Sequence, residues 1–548
     1  MALVVLCLHG CAPPESARAP AGVLVVSKEQ QASWVRNFNP LLPGSRWPSS
    51  AGIYEPLLIF DPFAGEYVPW LATSHRWLDD AGGVRFVIRE GVRWSDGVDF
   101  TASDVKFTFD LILREPALDT GGVGAFIESV ELDGEGAVVV RFRRPYSPGL
   151  DRMAHIPIVA EHIWSLIEKP AAFSNPDPVG TGPFTEILRF DTQLWELGRN
   201  ADYWQPGRPA VEALRFPALP SNEQAALALI TGEVDWAANF IPAIDRIFVA
   251  RDPEHNRYWF PQVSGSIFVF PNLTRPPLDD PRVRKALSLA IDRELVVDVA
   301  MYGYTSPSTP SGLSDGFSAW RDPALEASID WVEHDLVRAG ALLDEAGYRL
   351  DSDGIRRRDG EPLSLVFSTI SGWSDWVLAA QVISQSLRGI GVPVAVKSYD
   401  SGALMERVSK GDFDIAMGWT AEGPTPYAQL ASLMDGRRRR PLGEPGQENW
   451  HRYDNPEVTA LFEAFEQTGD LTEQRRLLLE VQSVFAEDAP AIPLFLNPTW
   501  GQCSTRRFVG FPSAADPYAR LSPNNPPETL LVMTRIEPRP APSSPEQP

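Results

Sequence analysis

The stretch REGVRWSDGVDFTASDVKFTFD, Arg89 to Asp110, holds the densest local structural signals of the chain. Its centre, Ser95-Asp96-Gly97, is a turn sequence, because Asp bonds to nearby backbone and Gly tolerates positive φ. The short apolar segments on either side predict a hairpin. Thr101 lies three residues before Asp104, which is the spacing of a capping box, so a helix is predicted through VKFTFDLIL. A hairpin that leads into a helix indicates a mixed α/β chain.

Further helices and strands are predicted on both sides of this stretch. Ser221 caps a helix that ends at Gly232. Asp280-Pro281 begins another, and its pattern puts Val283, Leu287, Ala290, Ile291 and Leu295 on one face. The remaining predictions are strands at 23–27 (VLVVS), 391–400 (GVPVAVKSYD) and 491–496 (AIPLFL), and helices at 377–388 and 471–487. Helices that feed strands are typical of an α/β layer.

Length and charge limit the classes of protein that are possible. The chain has 548 residues, which is too many for one ordinary hydrophobic core. Its net charge of −23 argues against a nucleic-acid partner, because phosphate binding depends on clustered Lys and Arg. The basic run Arg437 to Arg440 is interpreted as a solvated loop. No stretch reaches the roughly 18 apolar residues of a membrane span.

The sequence contains no recognisable catalytic or cofactor motif. GLSDG, Gly312 to Gly316, has the spacing of a hydrolase nucleophile elbow, but prolines precede it where that motif needs a strand. The histidines and cysteines do not occur at metal-ligand spacing. We therefore expect no catalytic residues, no cofactor and no metal, and a secreted hydrolase is only a remote alternative.

The first residues of the sequence predict a targeting signal. A short apolar run ends in Leu8-His9-Gly10-Cys11, which resembles a bacterial lipobox, and the alternative is a frayed terminus. The resemblance implies a signal peptide over 1–10, lipid on Cys11 and a flexible tether over 11–22. Cys503 would then have no disulfide partner among the three cysteines.

Nine blocks, in order, resemble one protein family. The string at 89–110 is the most specific. The other blocks lie at 53–77, 178–184 (PVGTGPF), 199–204 (RNADYW), 230–240, 279–296, 390–394, 411–420 (GDFDIAMGWT) and 453–458. Together they resemble the dipeptide and oligopeptide type (family 5) of extracytoplasmic solute-binding proteins, which deliver ligands to ABC importers.

The resemblance implies an α/β, two-lobed periplasmic-binding-protein fold (class II type, cluster C) with an extra subdomain in the first lobe. The implied division is 23–52, 182–270 and 497–535 for the lobe 1 core, 53–181 for the extra subdomain, 271–496 for lobe 2, and a disordered tail over 536–548. Hinge crossings are expected near VFPNLT and IPLFLNP. The protein would be a monomer outside the cytoplasm, held to the membrane through Cys11, that closes on its ligand and docks on permease subunits.

Two ligand classes fit the resemblance. A peptide is favoured, because Trp419-Thr420-Ala421-Glu422 matches the string whose carboxylate meets a peptide amino terminus, with Glu in place of the usual Asp. GPTPY at 423–427, NFNPLLPG at 37–44 and PLGEPGQENWHRYDNP at 441–456 are similar to a branch that binds β-linked oligosaccharides. Nickel, opines and other small solutes are further possibilities. The predicted ligand-binding residues are Trp47, Trp373, Trp376, Trp419, Thr420, Glu422, Tyr427, Trp450 and Phe495.

Overall fold

The computed structural model describes residues 19–42 and 46–540, so the lipobox, Cys11 and the last eight residues lie outside the described part. Three main sheets organise the chain, and the buried apolar residues form one large core in lobe 2 and two cores in lobe 1. The predicted two-lobed α/β architecture is confirmed. No helix of the described residues is both long and apolar enough to cross a membrane.

The lobe 1 core is built on a seven-stranded sheet. In spatial order its strands are Asn256–Tyr258, Gln502–Ser504, Trp236–Ala237, Val23–Ser27, Ala213–Pro217, Leu194–Arg199 and Phe184–Phe190. The predicted strand Val23–Ser27 is buried along its whole length and pairs in parallel with a neighbour on each side. All seven strands fall within the three segments expected for this core.

The extra subdomain has an antiparallel sheet of four strands, in the spatial order Ala72–Trp77, Gly83–Ile88, Ala137–Phe142 and Ile127–Leu132. Its helix Ala102–Arg114 has the predicted capping box, in which Thr101 N donates to Asp104 Oδ2 over 2.9 Å. The predicted turn is also present, with Gly97 at φ +89°. The expected hairpin strands around it reduce to a single bridge between Arg93 and Asp99.

Lobe 2 contains a five-stranded sheet with helices packed on it. Its strands are, in order, Val394–Tyr399, Leu365–Ile370, Ile415–Gly418, Ser266–Pro271 and Ile492–Leu496. Its longer helices are Pro281–Leu289, Arg293–Ala300, Leu336–Glu345, Ser374–Gly389, Ser401–Ser409, Tyr427–Met434, Pro456–Glu466 and Leu471–Asp488. The helices predicted at 377–388 and 471–487 are therefore confirmed, each slightly longer than predicted.

The helix predicted to begin at Asp280 is two helices. The first ends at Leu289, and Asp292 caps the second by accepting a hydrogen bond from Leu295 N over 3.0 Å. Because the second helix begins anew, its apolar face does not continue the apolar face of the first helix. Val283 and Leu287 are buried as predicted, but Leu295 is 44% exposed.

The two lobes are joined by crossings that run side by side. One lies between the strands Asn256–Tyr258 and Ser266–Pro271, and the other between Ile492–Leu496 and Gln502–Ser504. Asn497 N donates to Gly265 O over 2.9 Å, and Thr499 N donates to Pro261 O over 3.2 Å. The predicted boundary at residue 270, with its hinge at VFPNLT, was wrong, because that string begins inside a lobe 2 strand.

The C-terminal segment returns to lobe 1. The helix Thr529–Arg535 is buried, and Glu537–Pro538 pairs antiparallel with Phe508–Val509. A disordered tail that begins at residue 536 is therefore wrong for residues 536–540, because this strand pairing orders the backbone there.

The GTG motif at 180–182 lies at the junction of the two parts of lobe 1. Gly182 N donates to Ile53 O over 2.9 Å, and Phe184 N donates to Gly52 O over 3.1 Å. A Cβ atom on Gly182 would lie 2.1 Å from the carbonyl oxygen of Gly52. Only glycine permits this approach of two backbones.

We expect Gly182→Ala to lower the thermal unfolding midpoint of the protein by several degrees, because the backbones at the junction must separate. Gly136→Ala is the matched control, since a Cβ there meets nothing within 4 Å. It should leave the midpoint nearly unchanged. Equal midpoints for the two variants, measured by calorimetric scanning, would contradict the role given to this junction.

The interlobe cleft as candidate functional site

A cavity of about 450 Å³ lies in the cleft between the lobes. Lobe 1 contributes Asn222, Asn239 and Arg520, among others, and lobe 2 contributes Trp373, Asp375 and Trp419. Two smaller chambers share walls with it. One of about 140 Å³ adjoins Trp419 and Trp450, and one of about 180 Å³ adjoins Glu422 and Arg520.

Four tryptophans of lobe 2 form a continuous aromatic wall. The Trp419 ring centroid lies 6.2 Å from that of Trp373, 6.0 Å from that of Trp376 and 6.0 Å from that of Trp450. Three of these indoles are partly or fully buried, but Trp419 is 37% exposed and lines two of the chambers. A large, rigid aromatic face is thus presented to the cavity.

Asp375 is a buried carboxylate in this wall. It lies in the first turn of the helix Ser374–Gly389 and is 3% exposed. Asn222 Nδ2, from lobe 1, donates to its Oδ1 over 3.1 Å. Burial raises the pKa of Asp375 to about 6, although hydrogen bonds, including one from Trp500, offset part of the effect.

Glu422 is already engaged across the cleft. Arg520 Nη1, from lobe 1, donates to Glu422 Oε2 over 2.8 Å, and Arg520 Nε lies 2.6 Å from Glu528 Oε2. Burial alone would lower the pKa of Arg520, but the carboxylates of Glu528 and Glu422 raise it above its usual value. Arg520 is therefore a fixed cation between two anions.

Several neutral polar atoms of the cleft have no partner within the protein. Among the described residues they include Gln30 Nε2 and Asn239 Oδ1 of lobe 1, Thr420 Oγ1 of lobe 2, and Gln429 Oε1 in the 180 Å³ chamber. Buried polar groups are almost always hydrogen-bonded, so such atoms need an explanation. The residues that carry them line the cleft from both lobes.

The lobes also touch beyond the cavities. Ser147 N of the extra subdomain donates to Glu466 O of lobe 2 over 2.7 Å, and Arg144 Nη2 lies 3.3 Å from Glu466 Oε2. Arg437 binds the same carboxylate. The solvated loop predicted at Arg437 to Arg440 is therefore wrong for Arg437 and Arg438, whose guanidinium groups are partly buried in ion pairs.

The structure brings most of the predicted ligand-binding residues together. Trp373, Trp376, Trp419, Thr420 and Glu422 line the main cavity, and Trp450 lines the adjoining one. Trp47 does not line these chambers. Its Nε1 donates over 3.3 Å to Glu29, which does, and Lys28 Nζ lies 4.0 Å from its ring centroid.

Tyr427 and Phe495 lie outside the three chambers, contrary to prediction. The Tyr427 hydroxyl donates to Glu466 over 2.7 Å, and its ring stacks on Phe465 at 4.8 Å. Phe495 belongs to the central part of the lobe 2 core and is 1% exposed. Each side chain is thus used for packing inside lobe 2.

Sequence reasoning found Thr420 and Glu422 but missed the other polar residues that bind across the cleft. Asp375 stands between two predicted tryptophans in GWSDW, so its place in the cleft could have been inferred from the sequence. Asn222 begins a predicted helix, directly after its cap. Arg520 has no local signal, since only the return of the C-terminal segment to lobe 1 brings it to Glu422.

Comparison with known proteins places the chain in a family. Residues 66–439 match the family model of bacterial extracellular solute-binding proteins, family 5. The glutathione-binding protein GsiB of Salmonella typhimurium is 28% identical over 439 residues, which cover 78% of this chain and 80% of that relative.

Solved structures share the fold over nearly the whole chain. A mannohexaose-bound periplasmic oligopeptide-binding protein of an ABC transporter from Thermotoga maritima has a TM-score of 0.87 at 24% identity, covering 95% of this chain and 99% of that one. AppA from Bacillus subtilis, in complex with a nonapeptide, has a TM-score of 0.80 at 21% identity, covering 94% and 99%.

Two lobes, paired crossings and a lined cleft between them define a binding protein of the two-lobed periplasmic class. The chain belongs to family 5 of the bacterial extracellular solute-binding proteins. Members of this family are binding components of ABC importers, not enzymes. Ser314 of the GLSDG motif is the N-cap residue of the short 3₁₀ helix Asp315–Trp320, so the motif does not have the strand–turn–helix context of a nucleophile elbow.

Asp375 is expected to contribute to the pH dependence of the protein's folding stability. Its pKa is raised by burial to about 6, so folding favours the protonated form, and that stabilisation is lost as the pH rises from about 4 through 6. Asp375→Asn should therefore gain stability relative to the wild type over this interval, by at most ~3 kcal/mol. Thermal unfolding midpoints at pH 4 to 7 measure the difference. Asp99→Asn, at an exposed carboxylate, is the control, and a pH-independent difference for Asp375→Asn would contradict the assignment.

Proposed function

We propose that this protein is the ligand-capturing lipoprotein of an ABC importer and that its cleft closes on an uncharged, hydroxyl-rich oligosaccharide of the cello- or manno- type. The observation that carries the ligand class is the cavity lining, which combines an aromatic wall with neutral polar atoms left without partners on both lobes. Contacts to both lobes stabilise the closed arrangement, so ligand binding free energy drives closure.

The lining suits a sugar for two physical reasons. Pyranose rings present flat apolar faces that pack on indole, and Trp419 offers the most accessible indole of the wall. Hydroxyl groups both donate and accept, so they satisfy a donor such as Gln30 Nε2 and an acceptor such as Asn239 Oδ1 equally well. The mannohexaose held by the Thermotoga maritima protein is consistent with this class of ligand.

A peptide is the second candidate. It is favoured by the glutathione-binding relative and by the nonapeptide bound to AppA. For a peptide, the buried carboxylate of Asp375 is the group that would pair with the amino terminus, since Arg520 occupies Glu422. A buried cation requires such a partner.

Calorimetric titration with cellotetraose, mannotetraose and tetra-alanine separates these candidates. We expect binding of one of the two sugars, and at least a tenfold loss of affinity for it in Trp419→Ala, because stacking on the exposed indole is removed. Trp204→Ala, at a partly buried indole of lobe 1 that lines none of the three chambers, is the control and should keep its affinity. Tight binding of tetra-alanine with no heat from either sugar would reject the oligosaccharide in favour of the peptide.

The membrane anchor belongs to the same proposal. Leu8-His9-Gly10-Cys11 supports lipid attachment at Cys11, which would hold the protein at the extracytoplasmic face of a membrane. Cys11→Ser should move the protein from the membrane fraction to the soluble fraction of cells. Cys503→Ser, at a buried thiol, is the matched control and should stay in the membrane fraction. Equal membrane retention of both variants would refute the anchor.

A further inference from the structure

Arg520 reaches the cleft from lobe 1 through a fixed set of contacts. Its Nη1 donates to Ser264 Oγ over 3.0 Å, at the first crossing between the lobes, and its Nε lies 2.6 Å from Glu528 Oε2. Only 10% of the Arg520 side chain is exposed, and only 5% of the Glu528 side chain. The guanidinium is therefore positioned by lobe 1, before any contact with lobe 2 is considered.

The contact with lobe 2 is the ion pair with Glu422, at 2.8 Å. Both residues line the main cavity and also the 180 Å³ chamber, so the pair lies on the boundary between these two spaces. Because Arg520 and Glu422 belong to different lobes, the pair depends on closure of the cleft.

A carboxylate on a cavity wall attracts a cation, and here the protein supplies that cation itself. Guanidinium is permanently charged, and its donors match a carboxylate well. A ligand ammonium that took Glu422 would have to displace Arg520, which would leave a guanidinium in the cavity with one of its two carboxylates lost. Glu422 keeps 43% of its side chain exposed, but Arg520 keeps only 10%, so the cost of breaking the pair falls on the guanidinium, which would lose one of its two carboxylates while it stays buried.

We propose that Arg520 is a specificity-determining residue that occupies the Glu422 carboxylate on closure and so prevents this cleft from selecting ligands by a cationic terminus at Glu422. The inference rests on the proposed capture of a ligand in this cleft, but it applies whether that ligand is a sugar or a peptide.

The test removes the Arg520 cation from Glu422 without leaving another buried charge. Arg520→Gln alone would leave Glu528, which is 4% exposed, without its cation, so the variant is Arg520→Gln/Glu528→Gln. The probes are tetra-alanine and N-acetyl-tetra-alanine at pH 7. If the wild type binds a tetrasaccharide and not the peptide, the probes are the 2-aminoethyl glycoside of that tetrasaccharide and its N-acetyl derivative. The measured quantity is the ratio of the affinities for the free amine and for the acetylated probe. We expect at least a tenfold preference for the free amine in the double variant, since a charge-assisted hydrogen bond to Glu422 becomes available.

Two further variants test whether the Glu422 carboxylate is the cause of the amine preference. Adding Glu422→Gln to the double variant should abolish the preference, and Glu528→Gln alone should not create one, because Arg520 stays on Glu422. Two results would overturn the proposal: a folded double variant without a gain in amine preference, or a wild-type preference that Glu422→Gln removes. The second is measured without the double variant, so it applies even if that variant fails to fold.

Failure of the ligand-class proposal gives a different pattern. If neither sugar binds the wild type, the oligosaccharide is rejected, but the amine ratio in the double variant still reports on Arg520. If a sugar binds and the double variant gains no amine preference, only the role of Arg520 is rejected.

Discussion

Polar groups that are enclosed between two lobes must find partners, because closure removes the water that would otherwise bind them. The cleft meets this constraint in two ways. Asn222 and Asp375 bind each other across it, as do Arg520 and Glu422. Other buried groups, such as Asn239 Oδ1, have no partner among the described residues. On the proposed function, closure and recognition are one process, since a ligand would complete the hydrogen bonding that the protein alone leaves incomplete.

The paired crossings make that process possible. Residues 259–265 and 497–501 lie side by side and are hydrogen-bonded to each other, and Ser264 Oγ lies 3.2 Å from Thr499 Oγ1. Linked in this way, the two segments form one hinge and not two independent linkers. Arg520 contacts Ser264 in this hinge, so the cleft ion pair and the crossings share a residue.

The local parts of the structure were predictable from sequence, and the contacts across the cleft were not. Thr101 with Asp104, and Ser221 with Gly232, marked helix ends correctly because capping depends on neighbours in the chain. The aromatic wall was also predicted, through strings that resemble the family. Tyr427 was misplaced because the string around it does not show which way its side chain points. A helix face can turn either towards the cleft or into lobe 2.

Arg520 shows where sequence reasoning ends, because its contact in the cleft joins distant parts of the chain. It is 98 residues from Glu422, and only the folded chain brings them together. Arg437 is a second arginine that lies between two carboxylates, those of Asp435 and Glu466. The sequence had predicted that it lies in a solvated loop. Both arginines are held by carboxylates of the protein, whereas the buried Arg293 is held by backbone carbonyls and by Ser288 Oγ. A pair that joins the two lobes, as Arg520 and Glu422 do, forms only where both lobes meet, so its charges are compensated by the fold and not by the local sequence.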